Sequence, residues 1–586
     1  MMGFDIVFKR IYWRDVAPYV WIAGMAVLLI LPQLILHSTI VGSDAIFHFN
    51  RIYNAAKQMQ NFNFSYFQTN YGFQQSGRII NALYGPYFAY LSGVLLILVR
   101  SWYHFQIVST FLVYLIGGIG MYLLATKVRA TKQIALIAAL LFMNVGWLPR
   151  WGLSQNLNSW GAALAPFVLI CAVRMISDHQ RPIKIIPLAL IMAIIIEIHI
   201  LSTILFTLVL LPFFMIGLWR ANDKIKMLLD TILAALLTIL LTANIWGSFL
   251  TIFANNSIAE PAKFALEQNA LQFSMILGQR NQLGAVCLIL FAAQLVYVLV
   301  SKQATTVNRV VTVIGALILF IASDLFPWVT LQHQLPFLQS TLQFPVRFTI
   351  IAYPLLFCGA AISATQLRLS SERHTGYYRF GALIAVLLCL APNMLSMALK
   401  AETYHSVDVL NSWTGVTVLA DTPDQIRSSL HAEHPGQLLT LVEKRHPDYL
   451  PIPSEFKRLN FKRSDEYEKQ IIDRHREFEH KVLSGGRLQL TWNAERRDYR
   501  QVPLIMYKES ILQLNGHRLN SYQYDETNIG APVVPQEIGR NTLILQFKQP
   551  RSFTNLLILS LVSWLVLSCV GVGKVVYQYK KYYKRG

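Results

Sequence analysis

Charge is scarce in this chain. Charged residues make up 14% of its 586 positions, against about 25% in an ordinary soluble domain, so a wholly soluble globular protein is excluded. Cysteine is scarce too. The five, Cys171, Cys287, Cys358, Cys389 and Cys569, all lie in apolar segments, and no pair suggests a disulfide or a metal site. The most polar stretch, 400–552, has none, so disulfides do not hold it together. There is no P-loop, no G-x-G-x-x-G after a strand, no H-E-x-x-H, no C-x-x-C and no G-x-S-x-G. Soluble-type nucleotide sites, zincins and nucleophile-elbow hydrolases are thereby set aside. Internal repeats and low-complexity tracts are missing as well.

Apolar sequence is abundant: 54% of residues are hydrophobic and the mean hydropathy is +0.42. Many runs approach the roughly 20 residues that cross a bilayer. Helices are the expected form, because each backbone polar group in lipid must be satisfied within its own segment. The first run, 17–36, follows Lys9, Arg10 and Arg14. It is long enough to span and lacks a clear A-x-A site, so it reads as an uncleaved anchor.

The net charge of +20 would suit nucleic acid, but its distribution argues against that partner. Residues 400–552 hold 21 Lys and Arg against 20 Asp and Glu, leaving 30 basic and 11 acidic residues among the apolar runs. There, basic residues set membrane orientation. Further clusters stand at Lys127/Arg129/Lys132, Arg174/Arg181/Lys184, Arg220/Lys224/Lys226, Lys302/Arg309, Arg368/Arg373/Arg379 and Lys580/Lys581/Lys584/Arg585. Placing every cluster in the cytoplasm requires an even number of crossings between neighbours. The result is a polytopic α-helical plasma-membrane protein of about 12 transmembrane helices with both termini cytoplasmic. Segment 83–99 then lies in or dips into the outer surface; the alternative, that it spans and a later run does not, stays open. Three parts follow: a membrane domain, 1–399, with its first outer loop at 37–104; an extracytoplasmic domain, 400–552; and a final anchoring helix with a basic tail, 553–586. In the second part, "RLQLTW", "SILQLNG" and "NTLILQF" are short β-type runs, and Asn515-Gly516 is a turn signal, which predicts a β-sandwich over 485–550. The charged stretch 455–481 reads as a surface helix or a mobile segment.

Candidate chemistry collects just past the first run, in "VGSDAIFHFNRIY", 41–53. Ser43 can cap a helix beginning at Asp44. On that helix Asp44, His48 and Arg51 share one face, while Ile46, Phe49 and Tyr53 make another, as in a helix lying on a membrane surface. A carboxylate there meets a lipid-borne substrate and water together; the plain alternative is an acidic residue favoured by the helix dipole. Arg347, in "LQFPVRF", stands between two runs beside a helix-breaking Pro345, where its planar fork suits a lipid phosphate; the plain alternative is a snorkelling arginine. Glu197 and His199 end the run 185–200, and Asp324 ends another. Ionisable groups at such depths are costly and often functional. Arg150, Gln155 and Asn156 are polar and fall in an outer loop.

Together these residues resemble the GT-C superfamily of membrane glycosyltransferases. Within it, "QFPVRF", "HPDYLP" (446–451) and "VPLIMYKESILQLNGHRL" resemble the YfhO-like proteins and the related family named for a 6-pyruvoyl-tetrahydropterin synthase-related membrane domain. The resemblance implies inverting transfer of a sugar from a polyprenyl-phosphate donor to an envelope or exopolysaccharide acceptor on the outer face. Asp44 would be the general base, and Arg347 would hold the phosphate. His48 and His199 would position acceptor or phosphate. Arg51, Arg150, Gln155, Glu197 and Gln343 complete the implied substrate-binding set. The implied partners are the lipid-linked sugar, a glycan or glycolipid acceptor and membrane lipids. Many relatives carry an acid where this chain has Gln155 or Asn156, which departs from a two-carboxylate pattern. Some GT-C enzymes use a divalent metal; no full ligand set stands here, and the cofactor is left open. Two other readings remain: a flippase for lipid-linked glycan, and a non-catalytic assembly factor.

Overall fold

The apolar runs fold as helices. The computed structural model describes residues 13–273, 281–370, 375–410, 415–456 and 461–583. Among the basic residues used above, Lys9, Arg10, Arg373, Lys584 and Arg585 lie outside the described residues.

The chain starts with α1 (Trp13–Ile35), and the first loop carries α2 (Ala45–Gln60) and α3 (Pro86–Val99). Next come α4 (Trp102–Lys127), α5 (Lys132–Met143), the short α6 (Arg150–Ser154), α7 (Asn158–Ser177), α8 (Ile185–Ile198), α9 (Ile200–Arg220), α10 (Lys224–Leu241) and α11 (Ala243–Asn255). A parallel pair, β1 (Gln272–Phe273) and β2 (Gln282–Leu283), precedes α12 (Ala285–Val300) and α13 (Thr306–Ala322). Two short helices, α14 (Trp328–Gln334) and α15 (Leu338–Thr341), lead to α16 (Thr349–Ser370) and α17 (Thr375–Thr403).

Among the described residues, seven helices are long and apolar enough to cross a membrane, and the bent pair α10–α11 would make an eighth span. Five apolar helices are shorter, from 12 to 17 residues. Each of the twelve runs expected to cross contains a helix. The run 228–253 is corrected from one helix to two, bent by 64°. The break has a physical cause: the Leu241 carbonyl accepts from Ser560 Oγ (2.7 Å) and Trp564 Nε1 (2.9 Å) of the last helix, side chains that compensate the interrupted ladder. Helix α3, at 14 residues, measures about 21 Å, short of a hydrocarbon core of about 30 Å. It packs on α2. Gly85 precedes it at φ +76°, and a Cβ there would lie 1.8 Å from the Glu197 carbonyl oxygen.

Hydrogen bonds sort the bundle into two ends. At one, Asp15 pairs with Lys132, Arg368 Nη1 donates to Gln133 Oε1 (2.7 Å), and Thr131 N donates to Thr365 Oγ1 (3.2 Å). At the other, Ile40 N donates to Gln106 Oε1 (2.9 Å) and Trp147 Nε1 to the Val346 carbonyl (3.2 Å). The basic residues Lys127, Lys132, Arg174, Lys184 and Arg368 belong to the first end by chain direction. The loop ahead of α2 and the turn ahead of α16 belong to the second.

The C-terminal region opens with β3 (Val416–Val418), α18 (Pro423–His431), α19 (Gly436–Leu441), β4 (Val442–Lys444) and α20 (Arg463–Tyr467). Instead of a continuous helix, the stretch 455–481 forms short turns around α20 and the start of β5 (Glu479–Leu483); 457–460 lie outside the described residues. The strands β6 (Arg487–Ala494), β7 (Asp498–Gln501), β8 (Ser510–Leu514), β9 (His517–Arg518), β10 (Asp525–Glu526), β11 (Pro532–Gln536) and β12 (Gly539–Phe547) follow. They make a five-stranded sheet, β5-β6-β12-β8-β9, and a three-stranded one, β10-β11-β7, both antiparallel. Alternation places Leu488, Leu490, Leu512, Leu514, Leu543 and Leu545 on one buried face. There they share a core with Val502, Leu504 and Val534. Asn515 and Gly516 both have positive φ (50° and 87°) in the β8–β9 turn, as a two-residue hairpin requires. Helix α21 (Arg551–Tyr583) then packs along α10 and α11.

Candidate active site

Asp44 occupies the N-cap of α2, so the helix begins one residue later than expected, and Asp44 makes no side-chain cap bond. Its surroundings explain why. The Asp44 N–H donates to the Ser154 carbonyl (3.1 Å), and Gly42 N–H donates to Gln155 Oε1 (2.9 Å). Gln155 sits at φ +55° and returns its amide N–H to the Trp151 carbonyl (2.9 Å). The loop 42–44 is thus strapped to 154–155. Gly42 permits the approach: a Cβ would lie 2.2 Å from Ser154 Cα. Gly42→Ala is therefore expected to cost about 1–3 kcal/mol through overpacking, measured as a lowered denaturation midpoint, and to dislodge Asp44.

The carboxylate is held directly. Asn156 Nδ2 donates to Asp44 Oδ2 (2.8 Å). The Asn156 orientation is set by its neighbours, because Oδ1 accepts from the Asn158 backbone N–H (3.0 Å) and amide (2.7 Å). Burial raises the Asp44 pKa; Lys444, Ser43, Arg347 and Asn156 partly offset it, Lys444 most. Two cations from the second half of the chain therefore act on a carboxylate near its start. No direct Asp44–Arg347 ion pair occurs among the described residues.

Arg347 lies in a 3₁₀ turn, Pro345–Phe348, ahead of α16. It is 7% exposed. Nη1 donates to the Leu342 carbonyl (2.6 Å), Nη2 donates to Gln343 Oε1 (3.2 Å), and the guanidinium carbon stands 4.8 Å from the Phe344 ring centre. Nε is buried without a partner among the described residues. A buried guanidinium with an unused donor is costly, and an anion would relieve it. Gln343, at φ +59°, supports Arg347 and donates to the Ala262 carbonyl (3.1 Å).

Helix α2 does not lie as a half-exposed amphipathic helix: both of its faces are buried, since α3, the bundle and the C-terminal region cover it. His48 and Arg51 point inward together. Arg51 Nη1 meets His48 Nδ1 (3.2 Å), Nε donates to Asn81 Oδ1 (3.0 Å), and Nη2 donates to the Tyr84 carbonyl. All three Arg51 nitrogens have protein partners, which suits a support for His48 rather than a substrate contact. Since arginine only donates, His48 Nδ1 accepts and its proton rests on Nε2. Burial, then Arg51, holds the His48 pKa well below the ordinary value, so the ring is neutral. His199 caps α9, its Nδ1 accepting from Ser202 N–H (3.3 Å), which again puts the proton on Nε2.

The structure makes electrostatic neighbours of Asp44 and Arg347, of Arg347 and His199, and of His199 and His48. It does not add every candidate to them. Glu197 is turned away: its oxygens accept from Asn244 Nδ2 (2.6 Å) and Tyr87 N–H (3.2 Å), at the head of α3. Arg150 donates to Asn281 Oδ1 (2.9 Å) and lies over Trp147. Asp324 is exposed. Gln155 holds main chain. Three residues escaped sequence reasoning. Lys444 Nζ donates to the Ser43 carbonyl (2.9 Å) across 401 positions. Tyr84 is half-buried and electrostatically coupled to Asp44 and Arg347. The ring of His446 lies 4.6 Å from that of Phe47. The one available signal was "HPDYLP", which begins two residues after Lys444.

The donor set does not fit a divalent cation. Asp44 faces an amide donor and two cations, and among the described residues no three His, Cys, Asp or Glu side chains are placed to hold a metal ion.

The family described as "6-pyruvoyl-tetrahydropterin synthase related domain; membrane protein" matches residues 82–403, more than half of the chain. The chain belongs to this family. This member is thus a multi-pass membrane protein, and the family match contains His199 and Arg347 but neither Asp44 nor Lys444. No curated protein matches it. Among solved structures it is similar to the apo form of the Archaeoglobus fulgidus oligosaccharyltransferase, at 14% identity and a TM-score of 0.36. The likeness covers 67% of this chain and 56% of that one, and it is too loose to bear on the chemistry of the site.

Proposed function

We propose that this membrane protein is an inverting glycosyltransferase that moves a sugar from a polyprenyl-phosphate donor to an envelope or exopolysaccharide acceptor. The observation that carries the reading is a half-buried carboxylate, Asp44, with Arg347 and Lys444 as its cationic neighbours, at one end of the helical bundle. Asp44 takes the acceptor hydroxyl proton. The Arg347 guanidinium receives the phosphate and stabilises its growing negative charge as the glycosidic bond breaks. His48 and His199 each carry a proton on Nε2, suited to acceptor hydroxyls or phosphate oxygens. The site lies at the bundle end opposite the basic clusters, which under the positive-inside tendency is the outer face; the C-terminal region is on that side with it.

The test offers radiolabelled polyprenyl-phosphate monosaccharides to the purified protein in vesicles, with envelope glycan as acceptor. The expected result is label passing from the lipid to the glycan fraction with release of free polyprenyl phosphate. A flippase would move labelled lipid between leaflets with the sugar–phosphate bond intact. An assembly factor would do neither, and either result overturns the proposal. The bent pair α10–α11 is the feature a transporter would share, but its break is sealed by Ser560 and Trp564.

A further inference from the structure

We infer that Lys444 is a positioning residue of this site, and that the site is complete only when strand β4 of the C-terminal region is docked on the loop ahead of α2. The inference rests on Asp44 being the base.

Strand β4 pairs antiparallel with β3, Val416 opposite Lys444. It packs against α2, and its side chains alternate. Glu443 is buried on one side, while Lys444 on the other reaches the Ser43 carbonyl at 2.9 Å, one residue before Asp44. The segment that comes next is locked in place. Arg78, wholly buried, donates from Nη1 to the His446 carbonyl (2.9 Å) and from Nη2 to the Asp448 carbonyl. Tyr507 of the sheet region donates its hydroxyl to the Tyr449 carbonyl (2.8 Å) and accepts from Ile79 N–H (3.1 Å). The first loop and the C-terminal region therefore hold each other through main-chain atoms, and Lys444 is what that lock delivers to the site. Its ammonium both ties the Ser43 peptide and sets a compensating charge beside a carboxylate whose burial favours the proton. The other groups facing Asp44 are Arg347 from the turn before α16, Tyr84 from the loop before α3, Asn156 from the loop before α7, and Ser43 on its own segment.

The test titrates Asp44 itself. Carbodiimides react with protonated carboxyls, so the pH midpoint of Asp44 labelling can be read by mass spectrometry of its peptide, on the purified full-length protein. Lys444→Gln keeps a donor for the Ser43 carbonyl but removes the charge. The midpoint is expected to rise by about one unit or more, the acid limb of transfer activity to rise with it, and Lys444→Arg to restore both toward wild type. An unchanged midpoint in Lys444→Gln, at an unchanged melting temperature, overturns the inference. A shifted midpoint in a protein whose Asp44→Asn variant still transfers sugar would retain the Lys444–Asp44 coupling and remove the base assignment instead. If Lys444→Gln melts early, Lys444→Arg decides: a guanidinium that restores folding but leaves the midpoint raised also overturns the inference.

Discussion

Asp44→Asn is expected to lower sugar transfer by about 10²–10⁴-fold, the range for losing a general base, while leaving the protein at least as stable. The amide is isosteric, and its oxygen can still accept the Asn156 N–H that now holds Oδ2 at 2.8 Å. The backbone bond to Ser154 is untouched. The stability sign follows from linkage. Burial raises the Asp44 pKa above the ordinary carboxylate value, so the folded state favours the protonated form. Above the unfolded pKa, the ionised carboxylate therefore costs stability, and a neutral amide removes that cost. Matched melting curves at neutral pH and assays of transfer would show opposite changes, the signature of a group kept for chemistry. In the wild type the same shift places the acid limb of the pH–rate profile above the usual carboxylate range: activity is full above the Asp44 pKa and falls as pH drops through it. An Asp44→Asn protein with wild-type transfer would end the proposal.

Arg347→Lys is expected to lower kcat/KM by about 10²–10³-fold, the loss typical when one preorganised donor to a developing anion is removed. Lysine retains the charge and loses the fork. An ammonium in this place can meet the Leu342 carbonyl or the Gln343 oxygen that Nη1 and Nη2 now occupy, but it has no counterpart to the buried Nε, which has no partner among the described residues. Because phosphate charge grows during bond breaking, kcat should fall as well as KM rise. A change confined to KM would make Arg347 a ground-state anchor only. Arg347→Met, which leaves no cation in the turn, should lose more than Arg347→Lys; equal losses would point to misfolding of the 345–348 turn, and circular dichroism and melting curves would separate that outcome.

How far the site could be read in advance depended on the range of the interaction. Asp44, His48 and Arg51 are three and four residues apart, and helical periodicity alone puts them together. Yet periodicity could not tell a surface helix from a buried one. The apolar face, Ile46, Phe49 and Tyr53, was visible, but the cover over the polar face comes from Asn81, Tyr84 and the 446–449 segment. Glu197 shows the converse. Its place at the end of an apolar run made it a candidate, and the fold uses it at the head of α3, where the carboxylate meets the Tyr87 N–H and the Asn244 amide. For Arg347 the nearby Pro345 marked a break ahead of a helix, and the chain does form a 3₁₀ turn there, Pro345–Phe348.

Membrane class, helical form, the places of the apolar helices and the β-character of the C-terminal part were all readable from the residues, because each follows from local hydrophobicity and short-range period. Tertiary packing alone decided that Lys444 stands beside Asp44, that α10 and α11 part at Leu241, and that Arg51 serves His48. Those outcomes depend on contacts between segments up to 401 positions apart, where one side chain answers another's unsatisfied charge or carbonyl, and no local pattern encodes which partner will be within reach.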